Sequence, residues 1–291
     1  MKTVATHNGT FHADDVFSVA TLELAFASGI EILRTRDEIA IATAGIVVDV
    51  GGVYDEHKDR FDHHQRDGAG VRPNGVPYAS FGLVWKKYGL TLCGNQTLVD
   101  EIDQDLVQPI DAEDNGIDLS KNNRYHVYPF SISSAVHVFN PTWREEENSD
   151  KIFLECVALA KSILERIIAR ARDKHEADKF VVKAYESAKD KRLIILDNVY
   201  PARDILKNYP EPLFMIRLNP KENTWNLETV KDDPHTFKNR KDLPQSWGGK
   251  TGPELQKITG VKDAIFCHRN LFLAKAGSKN GAVALAKLAL Q

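Results

Sequence analysis

The run Ile46-Val47-Val48-Asp49-Val50 most narrows what this chain can become. β-Branched residues broken by a single acid read as a strand buried on both faces, and such strands belong to parallel sheets covered by helices. The preceding residues supply the neighbours. Residues 3–6 read as a short strand and 31–33 as another. Between them, 14–28 carries Val16, Val19, Ala20, Leu22, Leu24 and Ala27 mostly at helical spacing, with Gly29 as its stop. Strand, helix, strand in this order predicts an α/β sheet.

The same reading continues along the chain. Gly51-Gly52 ends the Asp49 strand, and 53–62 is expected to form a hairpin or an edge strand. Residues 68–77 hold three Gly and two Pro and must be loop. Residues 79–88 and 95–112 read as helices, the second kinked or restarted at Pro109 and closed by Asn115-Gly116. From 149 to 188 the pattern is helical, with Phe153, Val157, Ala160, Leu164, Ile167 and Ala171 on one stripe. Unbroken, it would span about 60 Å, so a break is expected, together with a role as bridge between domains. Its stripe is expected to be buried within the chain or against a second copy in a homo-oligomer. Residues 193–197, 213–218, 225–230 and 264–267 read as strands of a second α/β unit closed by a helix over 278–290. A chain of 291 residues suits two domains. The expected division is a catalytic domain over 1–140, a helical connector over 141–190 and a substrate-binding domain over 191–291.

Bulk properties exclude several classes. The net charge of -3 argues against a general nucleic-acid coat, which relies on excess Lys and Arg. Cys93, Cys156 and Cys267 are odd in number and far apart, which disfavours a disulfide framework or a thiolate zinc site. No apolar run approaches the ~20 residues of a membrane span. The first cluster of polar residues begins so near Met1 that no leader peptide is expected, and the chain reads as cytoplasmic.

The chemistry lies in three places. His7-Asn8-Gly9-Thr10-Phe11-His12-Ala13-Asp14-Asp15 follows the first strand and opens the first helix. Asp49 ends a buried strand. Asp62-His63-His64 comes at the next turn. In open α/β sheets, ligands bind at the carboxyl ends of strands, so all three segments are expected to face one crevice. Mixed imidazole and carboxylate suits Mn, Fe, Co or Zn, and Mg less well. The set exceeds the needs of one ion. Two cations about 3.5–4 Å apart bind both attacking and leaving oxygens of an in-line displacement, and phosphoester hydrolysis is the reaction that benefits most. Plainer readings also exist: Thr10 or Asp15 as an N-cap of the first helix, and His57 as a solvated turn residue.

The segments T-H-N-G-T-F-H-A-D-D (6–15), V-V-D-V-G-G (47–52), R-F-D-H-H-Q (60–65) and I-D-A-E-D-N-G (110–116) occur in this order. Together they resemble the DHH phosphoesterase superfamily, and more closely its melanocyte-proliferating-gene branch, described as metal-dependent 3′–5′ RNA exonucleases. The resemblance covers nearly the whole chain. It implies an N-terminal parallel-sheet DHH-type domain joined through helices to a smaller α/β substrate domain. It implies two divalent metal ions, Mn2+ first, with Mg2+, Zn2+, Co2+ or Fe2+ as alternatives. His7, His12, Asp14, Asp49, His63 and Asp111 would be the ligands, Asp49 bridging, with Asp114 as the fallback for Asp111. His64 would meet the scissile phosphate with Asp62 in support. His12 departs from the wider superfamily, which places an Asp three residues after its first His.

In the second half, F-K-N-R-K-D-L-P-Q-S-W-G-G (237–249) and A-I-F-C-H-R-N-L-F (264–272) resemble the branch's substrate domain. Phe237, Arg240, Trp247 and His268 fall on matching positions. Arg240 and His268 would hold phosphate, and Trp247 would stack on a base, unless Trp247 and Phe237 are core. After Phe272 the resemblance leads one to expect a Gly-Gly turn of a phosphate-binding loop; here stand Leu273-Ala274-Lys275-Ala276, and Lys275 would partly replace its backbone contacts. The expected substrate is RNA or an oligonucleotide. A small phosphoanhydride or dinucleotide is the alternative, favoured by the charge balance. A non-enzymatic metal-containing protein is a third reading, disfavoured because structural zinc prefers closed Cys/His sites.

Overall fold

Val4, Ala5, Ile46, Val47 and Val48 are almost fully buried, and they form the middle of the first sheet. The computed structural model describes residues 1–291 apart from 121–126, 146–147, 234–235 and 237. The chain forms two compact units, Met1–Arg172 and Asp173–Gln291.

The first unit contains β1 (Lys2–Thr6), α1 (Ala13–Ala25), β2 (Ile30–Arg34), α2 (Glu38–Thr43), β3 (Ile46–Val48), β4 (Tyr54–Asp55), β5 (Arg60–Phe61), α3 (Ser80–Cys93), α4 (Gln96–Ile102), α5 (Gln108–Asp114) and α6 (Ile132–His137). Its sheet order is β2-β1-β3-β5-β4. All neighbours are parallel except β4, which pairs antiparallel with β5 as the edge strand of a hairpin. β3 stops one residue before Asp49, whose φ of 56° lies in the left-handed region and ends strand geometry. α1 packs on α3, with Phe17 against Phe81 at a centroid distance of 5.4 Å.

Between α4 and α5 the helix does not simply kink. Asp103–Val107 form a π-type turn and Pro109 starts α5 afresh. Proline supplies no N–H and disrupts the preceding turn, which is why the chain restarts there.

α7 (Ser149–Ser187) corrects one expectation, because it is a single uninterrupted helix of 39 residues. No Gly or Pro lies within it to break the ladder. Phe153, Val157, Ala160, Leu164 and Ala171 are buried in the core of the first unit, so this stripe is covered by its own chain.

The second unit contains β6 (Leu193–Ile195), α8 (Ala202–Leu206), β7 (Phe214–Asn219), β8 (Thr224–Thr229), α9 (Gly252–Thr259), β9 (Ala264–Cys267), β10 (Leu273–Ala276) and α10 (Lys279–Leu290). Its sheet order is β6-β7-β8-β10-β9, with β6 and β7 parallel and the rest antiparallel. Residues 273–276, which stand where the resemblance leads one to expect a Gly-Gly turn, form an inner strand between β8 and β9. The pairing Leu273 to Glu228 through Ala276 to Trp225 fixes them there. Among the described residues, no helix is long and apolar enough to cross a membrane.

Candidate metal centre

Each segment of the site is held by the end of a sheet element. β1 ends at Thr6 and delivers His7. Gly9, with φ 86°, turns the chain towards His12, whose extended backbone precedes α1. Arg34 at the end of β2 fixes that turn by donating Nη2–H to the Gly9 carbonyl at 2.6 Å. Asp15 Oδ1 accepts the His12 and Val16 backbone N–H groups at 2.9 and 2.8 Å, the carboxylate side of a capping box. Asp62 accepts the Gly52 N–H at 2.5 Å and the His64 N–H at 3.1 Å, fastening the end of the hairpin to the glycine turn after Asp49.

These segments converge. His7 Nε2 lies 3.2 Å from both Asp15 Oδ2 and Asp49 Oδ2. His63 Nε2 lies 3.1 Å from Asp114 Oδ2, 3.3 Å from Asp49 Oδ1 and 3.8 Å from Asp14 Oδ2. His64 Nδ1 lies 2.8 Å from Asp62 Oδ1 and 3.5 Å from Asp49 Oδ1. Three triads each have ligand atoms within 4.8 Å of one another: His7, His12 and Asp49; Asp49, His63 and His64; His12, Asp14 and Asp114. Asp49 belongs to two of them. The crevice is a cleft of about 800 Å³ whose wall includes His7, His12, Asp49, Asp62 and His64. Arg36, just beyond β2, also lines it. Sequence reasoning did not single out Arg36; its only signal was a second basic residue two positions after Arg34.

The electrostatics fit a cation. Asp14 is fully buried, and neither of its oxygens has a hydrogen-bond partner among the described residues. Burial, then the nearby carboxylates of Asp49, Asp114 and Asp15, push its carboxyl well above the usual range. Burial pushes Asp15 up to about 7. Asp49 goes the other way: burial opposes its ionisation, but hydrogen bonds from His63 and His7 overcome this and hold it well below the carboxylate range. In His63, burial is outweighed by Asp114 and Asp49, and the imidazole is pushed up to about 10. A buried anionic oxygen without a donor is costly. Divalent cations on this mixed carboxylate and imidazole set would remove that cost.

Asp111 is not brought into this cluster. Its Oδ1 accepts the Gly82 N–H at 3.0 Å, and its Oδ2 lies 2.8 Å from Arg72 Nη2. Arg72 comes from the 68–77 loop, is only 5% exposed, and also grips Asp103 of the π-type turn at 2.8 and 3.0 Å. A Cβ on Gly82 would stand 1.9 Å from Asp111 Oδ2, so glycine is required where α3 meets α5. Asp114, three residues later, faces His63 instead. Asp111→Ala is expected to cost about 3 kcal/mol, because it strips a buried cation of one partner and leaves the Gly82 N–H unpaired. Chemical denaturation measures this loss; calorimetric titration should show the same number of cations bound as in wild type.

A family profile matches residues 3–290. The chain belongs to the MYG1 exonuclease family, described as an uncharacterised protein family (UPF0160). It is 30% identical to a MYG1 protein of Schizosaccharomyces pombe over 314 residues, covering 99% of this chain and 97% of that one. It is 27% identical to the human protein named MYG1 exonuclease over 326 residues, covering 99% and 85%. A MYG1 protein of Dictyostelium discoideum is 28% identical, covering 98% and 95%.

In this family member, the second unit does not gather Arg240, Trp247 and His268 into an open site. Arg240 donates to Asp232 Oδ1 at 2.6 Å and to the carbonyls of Lys207, Tyr209 and Pro212 at 2.9, 2.5 and 3.0 Å. Its guanidinium is spent on tying loops together. Trp247 is 3% exposed in the core with Phe214, Leu255 and Leu271. His268 Nδ1 accepts the Asn270 N–H at 3.0 Å, and its ring packs on Phe272. Lys275 pairs with Glu222 at 2.6 Å. Phe237 lies outside the described residues. Arg240→Ala is expected to destabilise the second unit by roughly 3 kcal/mol, since three carbonyls lose a charged donor; hydrogen exchange of β7 and β8 reads it out.

Proposed function

We propose that this chain is a metal-dependent 3′–5′ exonuclease acting on RNA, of the DHH phosphoesterase type, with its chemistry in the first unit. His7, His12, Asp14, Asp49, His63 and Asp114 would hold two divalent cations, Mn2+ first among them. The observation that supports this most is Asp49: it stands at the end of β3 with one oxygen 3.2 Å from His7 and the other 3.3 Å from His63. A carboxylate shared between two ligand sets is what a two-cation site needs. When bound, the cations supply positive charge to the attacking and leaving oxygens of a phosphodiester. The names of the relatives, MYG1 exonuclease, support nucleic acid as the substrate.

The chain's own residues complete the reading. Asp62 accepts from His64 Nδ1, fixes the ring and raises its affinity for a proton, so that Nε2 donates towards a phosphate oxygen. The His64 side chain is 62% exposed and can reach a ligand in the cleft. Arg36 adds a second positive group on the wall. The three free, buried cysteines suit a reducing compartment and support a cytoplasmic location.

Purified protein with Mn2+ and RNA labelled at either end tests this directly. A 3′ label should be released at once as mononucleotide, whereas a 5′ label should give a shrinking ladder. Faster turnover of pyrophosphate or a dinucleotide than of longer RNA would shift the reading to a small-molecule phosphohydrolase. No hydrolysis of any of these with Mn2+, Mg2+, Co2+ or Zn2+ would end it.

A further inference from the structure

The second unit has a pocket of its own, of about 360 Å³, lined by Tyr200, Arg203, Asp204, Arg217, Thr229 and Lys231 among others. Behind its two arginines lies Glu228 on β8, only 2% exposed. Arg203 Nη2 reaches Glu228 Oε2 at 2.6 Å and Arg217 Nε reaches Oε1 at 2.7 Å. Asn226 also donates to Oε1, at 3.4 Å. One buried carboxylate therefore holds two guanidiniums side by side.

Neutralising Glu228 requires one of these cations. The structure supplies two, with Asp204 as the opposing acid on the pocket wall; Lys231, also on the wall, donates its Nζ–H to the Thr236 carbonyl at 2.9 Å. A guanidinium has five N–H donors in a rigid fork. Arg203 and Arg217 each spend one on Glu228, and their remaining donors meet no acceptor among the described residues. Open forks fixed from behind by a buried carboxylate are pre-organised for a planar or tetrahedral oxyanion, and Arg–phosphate pairs are the strongest of that kind. The pocket is also the size of sites that enclose small ligands.

We propose that this pocket is a phosphate-binding site, with Arg203 and Arg217 as the two forks. The phosphate belongs either to a free nucleotide or to an RNA backbone. The site involves neither the metal centre nor its residues, so it stands or falls separately from the nuclease reading.

Calorimetric titration of the full chain in EDTA, which leaves the first unit's carboxylate cluster repulsive to anions, isolates this site. The probes are AMP, inorganic phosphate and a short oligouridylate. Wild type should bind at least one of them, and Arg203→Gln and Arg217→Gln should each weaken it about tenfold. Arg203 is largely exposed, so Arg203→Gln should melt as wild type does and keeps the test clean if Arg217→Gln unfolds. Binding of AMP or phosphate marks a free nucleotide as the source; binding of the oligouridylate alone marks RNA. No binding of any probe, or unchanged affinity in Arg203→Gln, overturns the proposal.

Discussion

Asp49→Asn is expected to lower RNA hydrolysis by at least about 10³-fold, ~4 kcal/mol of transition-state stabilisation, while leaving the fold intact. Asn is nearly the same size and, like Asp, tolerates the left-handed φ of 56° found at this position. It also keeps an oxygen to accept the Ser80 hydroxyl, now donated to Asp49 Oδ1 at 2.9 Å. What it loses is charge, and one of its two acceptors becomes a donor facing His7 or His63. Both triads that contain Asp49 are damaged by one change. Asp49→Ala is a poorer test, because it adds backbone strain of about 1 kcal/mol to the loss of ligand. Rate measurements with Mn2+ in excess, beside a thermal melt, separate the two effects. Activity within tenfold of wild type in a folded Asp49→Asn protein would remove Asp49 from the mechanism.

The parts of this site that could be read in the sequence are those set by local geometry. His7 and Asp49 each follow a strand whose apolar pattern is plain, the 62–64 triplet follows the two-residue strand β5 of the hairpin, and a parallel sheet delivers such positions to one edge. Asp111 and Asp114 could not be told apart in that way. They are three residues apart on one short helix, and the π-type turn at Asp103–Val107 shifts the helical phase just before them. Arg72, which claims Asp111, comes from a Gly- and Pro-rich loop where no periodicity predicts a partner 39 positions away. Asp15 shows why single readings fail: it is not the N-cap, which is His12, but the third residue of the helix, where one oxygen accepts the His12 N–H while the other faces His7. In the second unit the limits were non-local. Whether Leu273–Ala276 is loop or strand depends on Trp225–Glu228, nearly fifty residues earlier. Arg240 looked like a phosphate ligand because a motif shows residue type, not which carbonyls surround it. Arg203, Arg217 and Glu228 carried no motif at all, and only strand pairing and burial place them together.

Asp14→Asn should move stability in opposite directions with and without metal. Without cations, the Asp14 carboxylate is buried, has no donor to either oxygen among the described residues, and sits among Asp49, Asp114 and Asp15. Replacing it with a neutral amide relieves desolvation and like-charge repulsion, so the first unit of the EDTA-treated variant should be more stable than wild type by about 2 kcal/mol. With Mn2+ the order should reverse. A ligand that binds only the folded state stabilises it by ~2.7 kcal/mol at a hundredfold excess over its dissociation constant. Wild type should gain on that order, and the variant should gain little, having lost an anionic ligand that no neighbour replaces. Differential scanning calorimetry with EDTA and with Mn2+ gives the four measurements needed. The crossing is the diagnostic feature, since a merely structural Asp14 predicts a variant less stable in both conditions with an undiminished response to Mn2+. That outcome would take Asp14 out of the cation site and leave its burial among three carboxylates without a physical purpose.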